Sequence, residues 1–584
     1  MTQVSERILI LDGASLPGRE QVGNKAASIA QMRALGLPVP PAFVLPIDEC
    51  RRYHAAGGEL DAEAWAAVRA GIEHLERETG RSFGDPASPL LVSVRSAAAI
   101  SMPGMMDTVL NLGMTDALER GLAALSGDPG FARDTHARFC HEFGHIVLGA
   151  DVDPGDDPAA VCAAVLKDTG QAVPGDPWEQ LRAAIHAVFG SWSSRRAVAY
   201  RRHWGIPEDG GTAVVVQAMA FGNLGGRSGT GVVFTRNPLT GAPEVYGEWL
   251  AGGQGEDVVS GTHDPRPVAE LAEQLPELHA ELMEAAQLLE SERGDMQDIE
   301  FTIEAGRLYL LQTRTAKRSP LAAVRIAADL VREGVTGPEA ALRQVSPEQV
   351  QAVLAPTLAP DTLAGAEVLA RGTPACPGVS SGRAAPDARA GSGSGEGGPV
   401  VLVRPTTSPE DVDAMVEAVA VVTERGGATS HAAVVTRALG RPSVVGVGDG
   451  VTGGWVGSEV TVDGSGGVVY AGRLPTRQTD ADDVPGLAEL LGWARERSPV
   501  TVGEGVDEVR DLDGLGLRLE PDHPVDAATL EAGVHGARAV RGTVLNSPEG
   551  ARAAIVAGVK TVVPLPGQRP EVLLLRLAQA GLED

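Results

Sequence analysis

The residues with the most chemical content stand together at Thr423–Gly446, TERGGATSHAAVVTRALGRPSVVG. A β-branched run ends in Gly426-Gly427, the hydroxyl residues Thr429 and Ser430 follow, and His431 stands where an Ala/Val-rich helix begins. The glycines allow close backbone approach, and Thr429 or Ser430 is placed to cap the helix. Unpaired amides and the positive dipole end of such a helix favour an anion, each contribution being ~0.3–1 kcal/mol when exposed. These are the surroundings a phosphorylated imidazole needs, so His431 is the candidate catalytic group, with Gly427, Thr429 and Ser430 around it.

A second pattern, His141-Glu142-Phe143-Gly144-His145, matches HExxH, in which two His one helical turn apart bind zinc beside a general-base Glu. Gly144 weakens that helix by ~1 kcal/mol relative to Ala, and no third ligand is identifiable. The segment is therefore expected to be an ordinary, partly exposed helix.

At 584 residues the chain exceeds the size at which one hydrophobic core stops growing, so two or more domains are expected. Its 43% apolar and 22% charged residues set aside a mostly disordered chain, a collagen and a coiled coil. With 49 Lys+Arg against 77 Asp+Glu the net charge is −28, and no basic run offsets it. Nucleic acid and anionic membrane surfaces would be repelled, whereas a small phosphorylated ligand in a pocket stays open. Cys50, Cys140, Cys162 and Cys376 are dispersed without a CxxC pair, which fits neither a disulfide framework nor a zinc ribbon. The start, MTQVSERILILDG, has no signal-peptide layout, and no window reaches the ~18 apolar residues of a membrane span. Together these features predict a soluble, unexported protein in a reducing cytoplasm.

The elements that must position these residues alternate. Asn24–Leu35 reads as a helix before the Pro-rich LPVPPAFVL, and Leu90–Val94, Thr212–Val216, Gly231–Phe234 and Arg307–Gln312 read as strands. From Leu321 to about Leu363 the pattern is helical with charged faces, as in a connector between globular units. A further unit from about Pro374 to Gly472 carries the strands Val400–Arg404 and AVAVVTE and the helix near His431; the low-complexity stretch Arg389–Gly398 reads as a surface loop within it. From about 485 a helical segment leads into more β/α alternation. The fold class is thus α/β and α+β, in several domains.

The His431 segment resembles the phosphohistidine loop of the pyruvate, phosphate dikinase family, whose form is close to GGMTSHAAVVAR; Ser430 stands where phosphoenolpyruvate synthases carry Cys. VGNKAASIAQM, VSVRSAAAISMPGMMDTVLNLGM, VVVQAMAFGNLGGRSGTGVVFTRNPLTGAPEVYGEW, GQGEDVVSGTHDP and DIEFTIEAGRLYLLQTR resemble the family's nucleotide-binding domain, in order. The resemblance spans about residues 20 to 475. It implies an ATP-grasp nucleotide-binding domain over 1–318 and a swivelling phosphohistidine domain over 373–475, while the residue patterns give a helical connector over 319–372 and a short β/α tail over 476–584. Phosphoryl transfer requires cations for a triphosphate, flexible backbone to cover it, and oxygens for Mg²⁺. The resemblance gives Lys25 and Arg95 as phosphate holders, Ser101–Asp107 with Gly104 and Gly222–Gly231 with Gly226 as covering loops, and Gln217 and Glu248 on the nucleotide side. It places Glu300 and Gln312 at the metal, with Asp298 and Arg314 beside them. The implied reaction uses ATP and inorganic phosphate to phosphorylate His431 and then passes the group to pyruvate held in a barrel domain.

A (β/α)₈ barrel needs ~200–250 residues, far more than 476–584 offers, and the expected substrate motif gives way to TVVPLPG. The tail reads as a small β/α piece or degenerate barrel remnant, so a separate acceptor-domain protein or a small acceptor is expected as partner. Two departures touch the nucleotide side: Ala97-Ala98-Ala99 stands where the family has Gly-Ala-Arg, and Gly252 where it has Asn. They keep open a catalytically impaired, nucleotide-binding regulatory homologue, beside a dikinase for a non-pyruvate acceptor.

Overall fold

The computed structural model describes residues 7–582 apart from 101, 103–105, 156, 204, 205, 209, 260–264, 355, 356, 364, 388–397, 408–410, 428, 429, 431, 434, 437–440, 478, 504, 505, 507, 516, 518–526 and 566–568. The chain is a mixed α/β protein of two units. One comprises residues 1–233, 247–289 and 297–315, the other 234–246, 290–296 and 316–584.

In the first unit, short runs rich in Val and Leu make the sheet Leu9–Ile10, Ala42–Leu45, Ala213–Ala218, Val92–Ala97, Thr108–Leu112, all neighbours antiparallel. Its apolar side chains bury against helices in a core that includes Phe43, Phe139, Phe143, Phe189 and Val216. A second sheet runs Arg266–Pro267, Tyr246–Ala251, Gly229–Phe234, Gln297–Glu304, Arg307–Thr315. Its last two strands are a long hairpin in which Asp298 faces Arg314 and Glu300 faces Gln312. That register puts four polar residues at one end of the hairpin.

In the second unit the helical segment is divided by proline into Pro320–Arg332, Pro338–Gln344 and Pro347–Val353, each with Pro in its first turn, where its missing N–H costs nothing. A short strand missing from the helical pattern, Thr357–Leu358, follows and pairs antiparallel with Thr476–Arg477. Between these partners lies an eight-stranded sheet, ordered Val368–Arg371, Val468–Ala471, Glu459–Asp463, Val379–Ala385, Val400–Arg404, Ala420–Thr423, Ser443–Val445, Thr373–Cys376. Val379–Ala385, Val400–Arg404, Ala420–Thr423 and Ser443–Val445 pair in parallel. The loop expected at Arg389–Gly398 falls almost wholly outside the described residues.

The tail forms a small parallel sheet ordered Thr501–Val502, Thr561–Val562, Ala539–Arg541, Arg510–Asp511. Its last three strands in sequence pair as chain neighbours, and its first strand pairs with its last. The final helix, Pro570–Ala580, buries Leu574, Leu575 and Ala578 in one cluster with Val324, Leu342, Val350 and Leu487. The tail and the connector helices thus share a core. No helix among the described residues is long and apolar enough to cross a membrane.

Candidate functional site

The site in the first unit starts at a kink. Helix Arg19–Ala34 is interrupted at Gly23, with φ 75° and ψ 164°, so regular helix resumes at Asn24 and Lys25 lies in its first turn. A Cβ at Gly23 would stand 1.9 Å from the Ala97 carbonyl oxygen, which leaves room for glycine alone. Asn24 completes the junction: its backbone N–H donates to Ala98 O and its Nδ2 to Ala99 O. The Gly in VGNKA therefore docks the lysine against the end of strand Val92–Ala97. The same contact accounts for Ala97, whose methyl group packs over a residue with no side chain.

Lys25 shares its pocket with Arg95 and Arg314, and all three act on the Glu300 carboxylate. Arg95 Nη2 donates to Glu300 Oε2 at 3.3 Å, and Arg314 Nε donates to Asp298 Oδ2 at 2.7 Å. Burial pushes the Glu300 carboxyl up, but Arg95, Arg314 and Lys25 outweigh it and hold the group below its usual range. Asp298 raises the Arg314 guanidinium. Lys25 is driven well below the usual lysine value, first by burial and then by Arg95 and Arg314, with Glu300 opposing. Three basic side chains thus gather around two carboxylates, Glu300 and Asp298, and an anion beside Lys25 and Arg95 would relieve their mutual repulsion. Arg95 Nε is buried and has no hydrogen-bond partner among the described residues. Such an orphaned donor points to a ligand.

Two cavities meet at Arg95, Thr108 and Glu300. One, of about 260 Å³, is lined by Lys25, Arg95, Glu300, Gln312, Arg314 and the main chain near Ala97. The other, of about 240 Å³, is more apolar and is lined by Gln217, Met219, Val232, Gln254, Thr302 and Leu311, among others. Together they suit an elongated ligand with one flat, largely apolar end and one anionic end. Glu300 and Gln312 face each other across the hairpin and both line the cationic cavity. One carboxylate and one amide oxygen suit a hard cation such as Mg²⁺ that takes its remaining ligands from water and phosphate.

Among the other expected site residues, Gln217 lines the apolar cavity but turns its Nε2 to the Pro40 carbonyl at 3.2 Å. Asp298 is buried behind the cationic cavity and reaches it through Arg314. Glu248, on strand Tyr246–Ala251, is half-buried and is not among the residues lining either cavity. Gly226 is exposed at the tip of the glycine loop, and Gly104 lies outside the described residues. Gly252 has φ 70°, a left-handed conformation that Asn also tolerates, so Asn to Gly there preserves the turn.

A closed ring of hydrogen bonds was not foreseen. Asn223 Nδ2 and Arg138 Nε donate to Asp134 Oδ2, and Arg138 Nη1 donates to Asp257 Oδ1. Asp257 Oδ2 accepts the Gln254 amide, and Gln254 Nε2 returns to Asn223 Oδ1. The ring joins the glycine loop, the GQGED turn and helix Pro129–Leu148, and Gln254 is also a wall of the apolar cavity. The GQGED motif and the glycine loop signalled two of its three segments, and nothing pointed to Asp134 and Arg138.

On the same helix, His141 Nε2 and His145 Nδ1 lie 3.1 Å from the carbonyl oxygens of Val152 and Ala150, while Glu142 accepts the Leu110 amide. Among the described residues no group of three or more His, Cys, Asp or Glu is placed to hold a metal. HExxH here is a run of main-chain partners.

In the second unit, strand Ala420–Thr423 leads into Gly426, with φ 109°, where a Cβ would meet Ser430 at 3.0 Å. Ser430 is buried; its N–H donates to Gly427 O, and its Oγ lies 3.5 Å from the Ala433 amide, the cap position expected of it. Thr436 Oγ1 and Ser443 Oγ, 2.7 Å apart, tie this segment to the next strand. Glu424, at the start of the loop, accepts from both the N–H and Oγ1 of Thr452. His431 and Thr429 lie outside the described residues.

The family model described as pyruvate phosphate dikinase, AMP/ATP-binding domain, matches residues 60–275, and that of the PEP-utilising enzyme mobile domain matches residues 397–467. The chain is 39% identical over 548 residues to a pyruvate, phosphate dikinase of Clostridium symbiosum, covering 85% of this chain and 62% of that protein. Against the Rhizobium meliloti protein of the same name it is 40% identical over 562 residues, covering 86% and 62%. Against a chloroplastic one of Zea mays the figures are 40% over 549 residues, 87% and 56%. The chain spans about three fifths of the length of these curated relatives.

Proposed function

The chain belongs to the pyruvate, phosphate dikinase family, whose nucleotide-binding and mobile domains it carries, and on that premise we propose that it moves phosphoryl groups from ATP to His431. In this reading residues 1–318 form an ATP-grasp domain, 319–372 a connector, 373–475 a swivelling phosphohistidine domain and 476–584 a tail. The observation that carries the proposal is the junction of the apolar and cationic cavities at Arg95, whose buried Nε has no partner among the described residues.

The base lies in the apolar cavity between Met219, Thr302 and Leu311, and the phosphates extend towards Lys25, Arg95 and Arg314. Arg95 turns its free donor to a phosphate oxygen, and Lys25 and Arg314 neutralise the rest. Glu300 and Gln312 hold Mg²⁺, which when bound offsets phosphate charge. His431 attacks the β-phosphorus in line, the bond to the oxygen bridging α and β breaks, and AMP leaves with that electron pair. Inorganic phosphate then takes the terminal phosphoryl group as pyrophosphate, leaving phospho-His431. The fixed cations serve because charge held in place needs no reorganisation as the transition state forms. One imidazole must visit two sites, so residues 373–475 swivel about the paired strands Thr357–Leu358 and Thr476–Arg477. Pyruvate or another acceptor, held by a partner protein or arriving free, discharges the phosphohistidine.

Isotope exchange between ATP and AMP tests the first step. Exchange that needs Mg²⁺ and disappears in His431→Ala is expected; ATP binding with no exchange would sink the proposal. Ala99, where the family carries Arg, favours the impaired regulatory reading, and that second outcome is the one it requires. The acceptor half is tested by adding pyruvate and candidate partner proteins to the phosphorylated chain, and it fails if none discharges it.

A further inference from the structure

The glycine loop between Phe221 and Thr230 is free at its tip and tied at its base. Gly225 and Gly226 are exposed, and nothing lies within 4 Å of where a side chain would stand on either. At the base, the turn of hairpin Gln297–Thr315 makes three polar contacts with the loop. Phe221 N donates to Glu304 Oε2 at 2.8 Å, Ala305 N donates to Ser228 Oγ at 2.9 Å, and Gly306 N donates to Arg227 O at 2.9 Å. Ser228 Oγ in turn donates to Leu224 O inside the loop. Arg81 Nη2 reaches Glu304 Oε1 at 3.3 Å and holds the carboxylate from the other side.

The turn itself carries the second indication. Ala305 has φ 48° and Gly306 φ 82°, so two successive residues are left-handed, as in the tight turns that favour Asn-Gly. Alanine is a poor choice for the first position, yet the arrangement aims its N–H at Ser228. The other end of the same hairpin bears Glu300, Gln312 and Arg314. One rigid element thus connects the cationic cavity with the root of the loop expected to cover the phosphates.

We propose that Glu304 is a positioning residue for the nucleotide: with the Ala305 and Gly306 amides it clasps the root of the glycine loop, so that the tip closes on the phosphates from a fixed origin. This rests on the nucleotide reading above. Glu304 lines neither of the two meeting cavities and acts through the loop. Its carboxylate receives one main-chain donor and one guanidinium, and only the first is needed for the clasp.

The clasp predicts a difference between ligands. A loop over the phosphates acts on ATP far more than on AMP, whereas general damage to the pocket acts on both. Equilibrium dialysis of the full chain with Mg-ATP, and separately with AMP, reads this directly. Glu304→Ala should weaken ATP by about tenfold, the weight of one charge-assisted hydrogen bond, and leave AMP within about threefold. Glu304→Gln keeps an oxygen for the Phe221 amide and should return ATP affinity to within about threefold of the natural chain. Equal losses for ATP and AMP, or an unchanged ATP affinity, would overturn the clasp. If Glu304→Ala does not fold, Ser228→Ala, which removes the acceptor for Ala305 N, is judged by the same ATP-to-AMP ratio. A natural chain that binds neither nucleotide would instead overturn the nucleotide reading itself.

Discussion

Arg95 and Glu300, paired in the pocket of the first unit, are 205 residues apart in sequence, whereas the contacts that shape the loop after Thr423 in the second unit span far less. Ser430 and Ala433 are three apart, Thr436 and Ser443 seven, and Glu424 and Thr452 twenty-eight. The pocket is built of charged side chains delivered by a helix start and two sheets, and it exists only when the whole unit is folded. The loop is built of glycines, hydroxyls and main chain close to one strand end, with Glu424 at its start. One arrangement concentrates charge at a price in burial; the other relies on hydroxyl and main-chain contacts close in sequence. Under the proposed function, a pocket for a highly charged nucleotide and a loop carrying one phosphoryl group would call for these two solutions respectively.

Removing a charge from the pocket is the sharpest way to break the comparison. Arg95→Ala takes away both the orphaned donor and the partner of Glu300, so phosphorylation of His431 should slow by about 10²–10³-fold, measured by quenched-flow trapping of labelled protein. A loss under about tenfold would mean that Arg95 does not face the phosphates. Gly23→Ala should destabilise the chain by about 2–4 kcal/mol, since its Cβ would overlap the Ala97 carbonyl and its φ is left-handed. Chemical denaturation checks this, and an unchanged midpoint would refute the docking role assigned to that glycine.

A subtler test uses the titration of Lys25. Its folded pKa lies well below the usual 10.5, so between those two values the unfolded chain binds the extra proton and the folded chain does not. Stability from this group therefore rises with pH across that window, by at most about 1.4 kcal/mol per pH unit. Lys25→Met should flatten that part of the profile without ligand, as read by melting temperature against pH; an identical slope in both proteins would contradict the buried placement. The smallest effect is expected at HExxH. Zinc chelators should leave stability unchanged, and His145→Gln should cost no more than about 1 kcal/mol, because the ring makes one hydrogen bond, to the Ala150 carbonyl, and stacks on His141.

These contrasts also explain what could be read from the amino-acid sequence. Local features were legible: the strand before Gly426, a cap at Thr429 or Ser430 and the helix beginning near Lys25 each depend on neighbours a few positions away. The motif order further gathered Lys25, Arg95, Glu300, Gln312 and Arg314, which the fold brings into one pocket. Periodicity did not disclose side-chain pairings across the fold. The Asn223–Asp134–Arg138–Asp257–Gln254 ring joins three distant segments, and no spacing rule encodes it. The pairing of Thr357–Leu358 with Thr476–Arg477 stayed hidden for the same reason, being two residues long and closed across a whole inserted sheet. The tail's strand order was equally silent, because runs as short as Thr501–Val502 carry no address for their partners.

The central claim is that pocket and loop are two halves of one phosphotransfer, and the mass of the intact chain tests it most directly. The chain would be incubated with Mg-ATP, with and without inorganic phosphate, beside His431→Ala. The account predicts gain of one phosphoryl group when phosphate is present, and none in the variant. No adduct on a chain that demonstrably binds ATP, or an adduct that persists in His431→Ala, would contradict it.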